Sequence, residues 1–238
     1  MDNIGYTSLS RQTGLRHEMD SVANNIANMS TTGFRKEGIL FSEHISRLEK
    51  DQPSLSMTDG GIRNTNYATG ATSQTNGTFD FAINGEGFFM VATEAGNKLT
   101  RAGSFTPNEV GQLVTNSGAP VLDASESPIS IPTSAEHIMV GSDGTISADG
   151  NPVAQIGVFM PFDTGSLKRE QGTLFTTDEG YQPVDAPNVL QGFLEGSNVN
   201  PIEEITRMIE VQRAYEQSAK FLDKEDERIR SVIKTLGQ

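Results

Sequence analysis

The sequence contains no cysteine, so neither a disulfide framework nor thiolate chemistry is open to it. No window approaches the roughly 18 apolar residues that a membrane-crossing helix needs, and none is expected here. Basic runs are equally scarce. The longest is Arg35-Lys36, and a nucleic-acid partner is disfavoured because phosphate binding needs a basic patch. Met1 to Asp20 lacks the charged start and apolar run of a secretory signal, so any export is expected to proceed without a cleaved signal peptide. The histidines are few, His17, His44 and His137, and lie far apart in the chain. Gly85-Glu86-Gly87 opens like a phosphate loop, but no helical pattern follows it, and it reads as a turn. Asp143-Gly144 and Asp149-Gly150 lack the alternating ligands and closing Glu of a calcium loop. No catalytic, cofactor-binding or metal-binding residue is therefore expected, and no enzyme.

What the sequence does have is an uneven charge. The net charge is −13 over 238 residues, yet residues 1–50 are neutral and residues 195–238 carry only −2. Residues 51–194 hold the remaining −11. Balanced ends suit packing against like ends, while an acidic middle stays solvated and repels its neighbours.

The ends carry the helical signal. Met208, Val211, Tyr215, Ser218, Leu222, Glu225, Ile229, Val232 and Leu236 recur at alternating steps of three and four, and seven of the nine are apolar or aromatic. Such a heptad stripe marks a helix that packs lengthwise against another helix. Asn198 offers an N-cap and Pro201 a tolerated first-turn proline. A helix from Pro201 to Leu236 would run about 54 Å, too long for a small domain. At the other end, residues 1–29 step through Leu15, Met19, Val22, Ile26 and Met29. Gly5 and Gly14 each cost about 1 kcal/mol against Ala, so this helix should be marginal without a partner. Gly33 then offers a positive φ for the stop.

Between them the grammar changes. A short helix is expected around Phe41 to Leu48, and residues 58–77, rich in Gly, Thr, Asn and Ser, read as an extended linker. From Thr78 short apolar runs alternate with turns. Phe79 to Ala92 reads as a hairpin about Asn84-Gly85-Glu86-Gly87, and nineteen of the 24 glycines fall between residues 60 and 196. The expected fold is α+β. A discontinuous helical domain would be built from residues 1–57 and 196–238, with an inserted all-β domain at 78–195.

Three blocks carry a resemblance. Val22-Ala23-Asn24-Asn25-Ile26-Ala27-Asn28 with Ser30-Thr31-Thr32-Gly33-Phe34 is similar to the N-terminal signature of the bacterial flagellar rod and hook axial proteins. Ala82 to Phe89, Thr100 to Phe105 and Gly111 to Val114 resemble the start of their β domain, and Leu194 to Asn200 with Met208 to Lys220 their C-terminal motif. The shortness of the chain and of the connector between Phe41 and Gly77 resembles the proximal-rod more than the distal-rod members.

The resemblance implies a structural subunit of the flagellar basal-body rod, exported through the type III apparatus into the periplasmic space. It would assemble with copies of itself and other rod subunits around a channel and transmit torque. On this reading the assembly interface comprises Leu15, Met19, Val22, Asn24, Asn25, Ile26 and Asn28 with Met208, Val211, Tyr215, Leu222 and Ile229. The asparagines, poor helix formers, would bond backbone or neighbouring subunits near the helix end. Rival readings are a secreted β-rich adhesion module and, more weakly, a wall hydrolase.

Overall fold

The computed structural model describes residues 2–46 and 55–236, which fold as two compact units. One comprises Met1–Met29, Lys36–Tyr67 and Val199–Gln238, and the other Ser30–Arg35 and Ala68–Asn198. The architecture is α+β, a helix at each end with antiparallel strands between.

The first unit holds α1 (Asp2–Ala27), the strands β1 (Glu37–Ser46) and β2 (Leu55–Thr65), and α2 (Pro201–Leu236). Glu18 of α1 lies beside Arg207 of α2, and Asn25 lies beside Glu204, so the helices run antiparallel. Both strands lie against α1. The cap of α2 is Asn200, not Asn198: its Oδ1 accepts from the Ile202 N–H at 3.1 Å and its Nδ2 donates to Glu203 at 3.0 Å. Asn198 instead donates to the Ala68 carbonyl at 2.8 Å. Pro201 takes the first helical position, where a missing N–H costs nothing.

Two expectations fail here. Phe41 does not begin a helix, because residues 37–46 form β1 and pair antiparallel with β2 through a bulge between Leu40 and Ser42. Leu48 lies outside the described residues. The supposed linker is strand over its first part, with β2 reaching Thr65. A hairpin satisfies its main-chain groups by mutual pairing, so the polar composition that suggested a linker does not prevent a ladder.

The second unit carries β3 (Thr72–Gln74), β4 (Phe81–Ile83), β5 (Phe88–Thr93), β6 (Gly96–Thr100), β7 (Phe105–Pro107), β8 (Leu113–Thr115), β9 (Ile138–Val140) and β10 (Thr145–Ala148). There follow β11 (Asn151–Gln155), β12 (Val158–Pro161), β13 (Lys168–Arg169), β14 (Leu174–Thr176), β15 (Tyr181–Pro183), β16 (Val189–Gln191) and β17 (Phe193–Glu195). Six form one antiparallel sheet in the order β13-β14-β6-β5-β12-β15. Strands β11-β10-β9 form a second, and β16-β4, β17-β3 and β7-β8 are two-stranded pairs. The expected hairpin over Phe79 to Ala92 is absent: β4 pairs with β16, while β5 turns at Glu94-Ala95 to pair with β6. All three residues of β4 are buried, so it is a core strand seeking partners on both faces. Phe81, Phe89, Phe105, Leu113, Ile146 and Val158 belong to one buried core. Burying each such side chain contributes about 1.5–3 kcal/mol.

Candidate functional site

The helical unit is held by a polar seam as well as an apolar one. Leu15, Glu18, Val22 and Asn25 are the buried stripe of α1, at steps of three, four and three. Met19 and Ile26 are half-buried and Met29 is exposed, so the stripe is rotated from the expected one toward Glu18 and Asn25. These two polar residues are tolerated because each has a partner.

Asn25 is fully buried and uses every group it has. Its Nδ2 donates to the Glu37 carbonyl at 2.7 Å and to Glu204 Oε2 at 2.9 Å, and its Oδ1 accepts from the Glu37 N–H at 2.9 Å. Ser21 Oγ donates to the same Glu37 carbonyl at 3.1 Å. Lys36 sits 2.5 Å from the other oxygen of Glu204, so this buried carboxylate is both hydrogen-bonded and charge-paired. Glu204 also lies in the first turn of α2, where the helix dipole favours a negative charge. One turn on, Arg207 Nε donates to Glu18 at 2.6 Å, a bond that raises the guanidinium further above its usual range. Asn28 Nδ2 bonds back to the Asn24 carbonyl at 2.9 Å, and Asn24 donates to Glu37 Oε2 at 3.4 Å.

On α2, Val211 is buried, and Met208, Tyr215, Leu222 and Ile229 are half-buried on the same stripe. Of the residues chosen from the sequence, Leu15, Val22, Asn25 and Val211 are buried within one chain, Met19, Ile26, Asn28, Met208, Tyr215, Leu222 and Ile229 are half-buried, and Asn24 is exposed. Glu18, Lys36, Glu37, Glu204 and Arg207 were missed, because a search for apolar periodicity passes over charged residues. The signal that could have found Glu18 is its position three residues after Leu15 and four before Val22.

A second apolar surface remains on α2. Ile202, Ile205 and Ile209 are 77%, 50% and 45% exposed. At about 100° per residue they lie opposite Glu204 and Val211. Beyond them Phe221, Val232, Ile233 and Leu236 are exposed as well, as are Leu40 and Phe41 of β1.

In the β unit, a buried ion cluster ties three separate stretches of chain. Glu195 sits 2.6 Å from Arg35 and 3.1 Å from Arg101, and its Oε1 accepts from the Gly70 N–H at 2.9 Å. Arg101 also donates to the carbonyls of Ile83 at 3.2 Å and Gly85 at 2.6 Å. Arg35 is held by charge rather than by well-aligned hydrogen bonds. Burial pushes Arg101 down to about 10, Glu195 opposing the change, and the guanidinium stays charged at neutral pH. Arg169 stacks 4.4 Å from the Phe34 ring and donates to the Arg35 carbonyl at 2.5 Å. Gly33 closes the stretch with φ +70°, and a Cβ there would stand 2.2 Å from the Ala102 nitrogen.

Three stretches of the chain match known families. Residues 6–35 match the family described as flagella basal body rod protein, residues 82–148 the flagellar hook protein FlgE/F/G D1 domain, and residues 190–235 the flagellar basal body rod FlgEFG protein C-terminal region. The flagellar basal-body rod protein FlgF of Caulobacter vibrioides is 42% identical, covering 100% of this chain and 99% of its own length. FlgF of Mesorhizobium japonicum is 36% identical over 100% of this chain and 99% of its own. FlgG of Bacillus subtilis is 31% identical over 96% and 97%. With end-to-end similarity at this level and all three family regions in their places, the chain belongs to the flagellar basal-body rod protein family.

Proposed function

We propose that the protein is a structural subunit of the proximal part of the flagellar rod, assembling through its helical unit with copies of itself and with related rod subunits. The observation that carries this reading is the second apolar face of α2. One face is used inside the chain by Val211 and its neighbours, while Ile202, Ile205 and Ile209 are left uncovered on the other. Isolated exposed apolar residues need no explanation, but an aligned set along a helix marks an interaction surface. Full-length similarity to FlgF supports the proximal assignment over the distal one. Assembly through unlike, non-closing contacts would produce a tube, and packed helices would pass twist from one copy to the next. Passage to the periplasm by the flagellar export apparatus belongs to the same proposal, as does the absence of any catalytic role.

Deleting the gene should stop swimming and leave truncated basal bodies in electron micrographs, both restored by the intact chain. Full-length rods in the deletion strain would refute it. The adhesion-module reading predicts unaltered basal bodies.

A further inference from the structure

A groove of about 520 Å³ opens between α1, the start of β1 and the first turns of α2. Val22, Ile39 and the exposed Ile202 supply its apolar lining. Five carboxylates line it, those of Glu18, Glu37, Glu203, Glu204 and Glu210, against two cations, Lys36 and Arg207. The lining is therefore negative by three charges. Glu204 and Glu18 are engaged deep in the wall with Lys36 and Arg207, while Glu203 and Glu210 are exposed on the rim, where Glu203 accepts from Asn200 Nδ2 at 3.0 Å and Glu210 pairs with Arg207 at 3.1 Å.

The complementary property lies on the first half of α1. Residues 3–17 contain Arg11 and Arg16 and no carboxylate. Both arginines are exposed, and among the described residues neither has an ion-pair partner. Leu9 is 57% exposed and shares a helix face with Arg16, turned away from the buried Glu18 and Val22. Apolar contact flanked by opposite charge is the pattern by which a partner helix is both held and oriented.

We propose that the groove of one copy receives the Leu9 and Arg16 face of α1 from a second copy. Leu9 packs against Ile39 and Ile202, and the Arg16 guanidinium sits between Glu203 and Glu210. The contact joins two different patches, so every copy offers the groove to one neighbour and the basic face to another, and the series does not close on itself. The proposal rests on the assembly reading above and specifies which faces meet.

The absence of cysteine allows a cross-linking test without background. Full-length chain carrying Leu9→Cys and Ile202→Cys replaces the native copy in swimming cells, and basal bodies are isolated under mild oxidation. A ladder of disulfide-linked multimers is expected. Arg16→Glu should reduce it at least tenfold, and adding Glu210→Arg should restore it. Circular dichroism of each variant reports whether the helices are kept. Basal bodies that contain the chain but show no ladder, or a ladder indifferent to the charge reversals, overturn the proposal. Swimming undisturbed by loss of the gene overturns the rod reading itself, whatever the cross-links show.

Discussion

The side-chain amide of Asn25 bonds both main-chain polar groups of Glu37, the N–H at 2.9 Å and the carbonyl at 2.7 Å. It thereby acts as a one-residue strand partner at the point where β1 begins, and its remaining N–H secures Glu204 on α2. Helix, strand and helix meet on one side chain.

Replacing Asn25 should cost the helical unit more than a buried apolar truncation of the same size. Asn25→Ala leaves the Glu37 N–H and a Glu204 oxygen without their partner, each costing about 1–3 kcal/mol. Asn25→Asp should be worse still, since it removes both donors and sets a second carboxylate against Glu204. Urea unfolding followed by helical circular dichroism would rank them wild type, Ala, Asp in falling midpoint.

Glu195 is the single negative charge between two buried arginines. Glu195→Gln strands both and should destabilise the β unit by about 3–5 kcal/mol. Arg101 has its folded value near 10, below the usual one, so its burial penalty is present at every pH under about 10 and is relieved only above it. Arg101 in the wild type hence stays charged between near pH 7 and near pH 9, and its effect on the wild-type thermal melt should be the same at either pH.

Two glycines with similar backbone angles should respond very differently to alanine. Gly118 has φ +85° and open space where a Cβ would go, so only the left-handed strain of about 1–2 kcal/mol is paid. Gly33, at φ +70°, adds a collision with the Ala102 backbone at 2.2 Å. Gly33→Ala should lower the melting temperature of the β unit several times further than Gly118→Ala.

Polar substitutions on the two faces of α2 should separate folding from assembly. Ile205→Asp and Ile209→Asp lie on the exposed face and should change monomer stability by no more than about 0.5 kcal/mol while abolishing rod incorporation. Val211→Asp buries a carboxylate and should unfold the helical unit outright. Leu222→Asp and Ile229→Asp, half-buried, should fall between, with the β unit still folded. Fractionation of basal bodies beside circular dichroism distinguishes the three classes.

Much of the fold was legible in the sequence, for reasons the structure makes plain. The α2 stripe was readable because one face of a long helix obeys a single spacing, from Met208 through Val211 to Ile229. The β unit was readable as a class from its glycine-punctuated apolar runs. Pairing was not, because β4 finds β16 more than a hundred residues away and no local signal encodes such a choice. Strand β1 was misread because Phe41 to Ser46 suits either helix or ladder until β2 is placed beside it. The polar seam escaped because a carboxylate at a seam position looks like surface until its cation is found. Asn25 was singled out by its poor helix propensity, a clue to a hydrogen-bonding task that did not name the partner.

Helix α2 is 36 residues long and α1 is 26, and they run in opposite senses. Such a pair has two dissimilar ends. One is stitched by Asn25, Glu204 and Lys36, and the other trails off into bare Ile233 and Leu236. A fibre assembled from units with a finished end and a ragged one inherits a direction, and new members are recognised differently at its two tips.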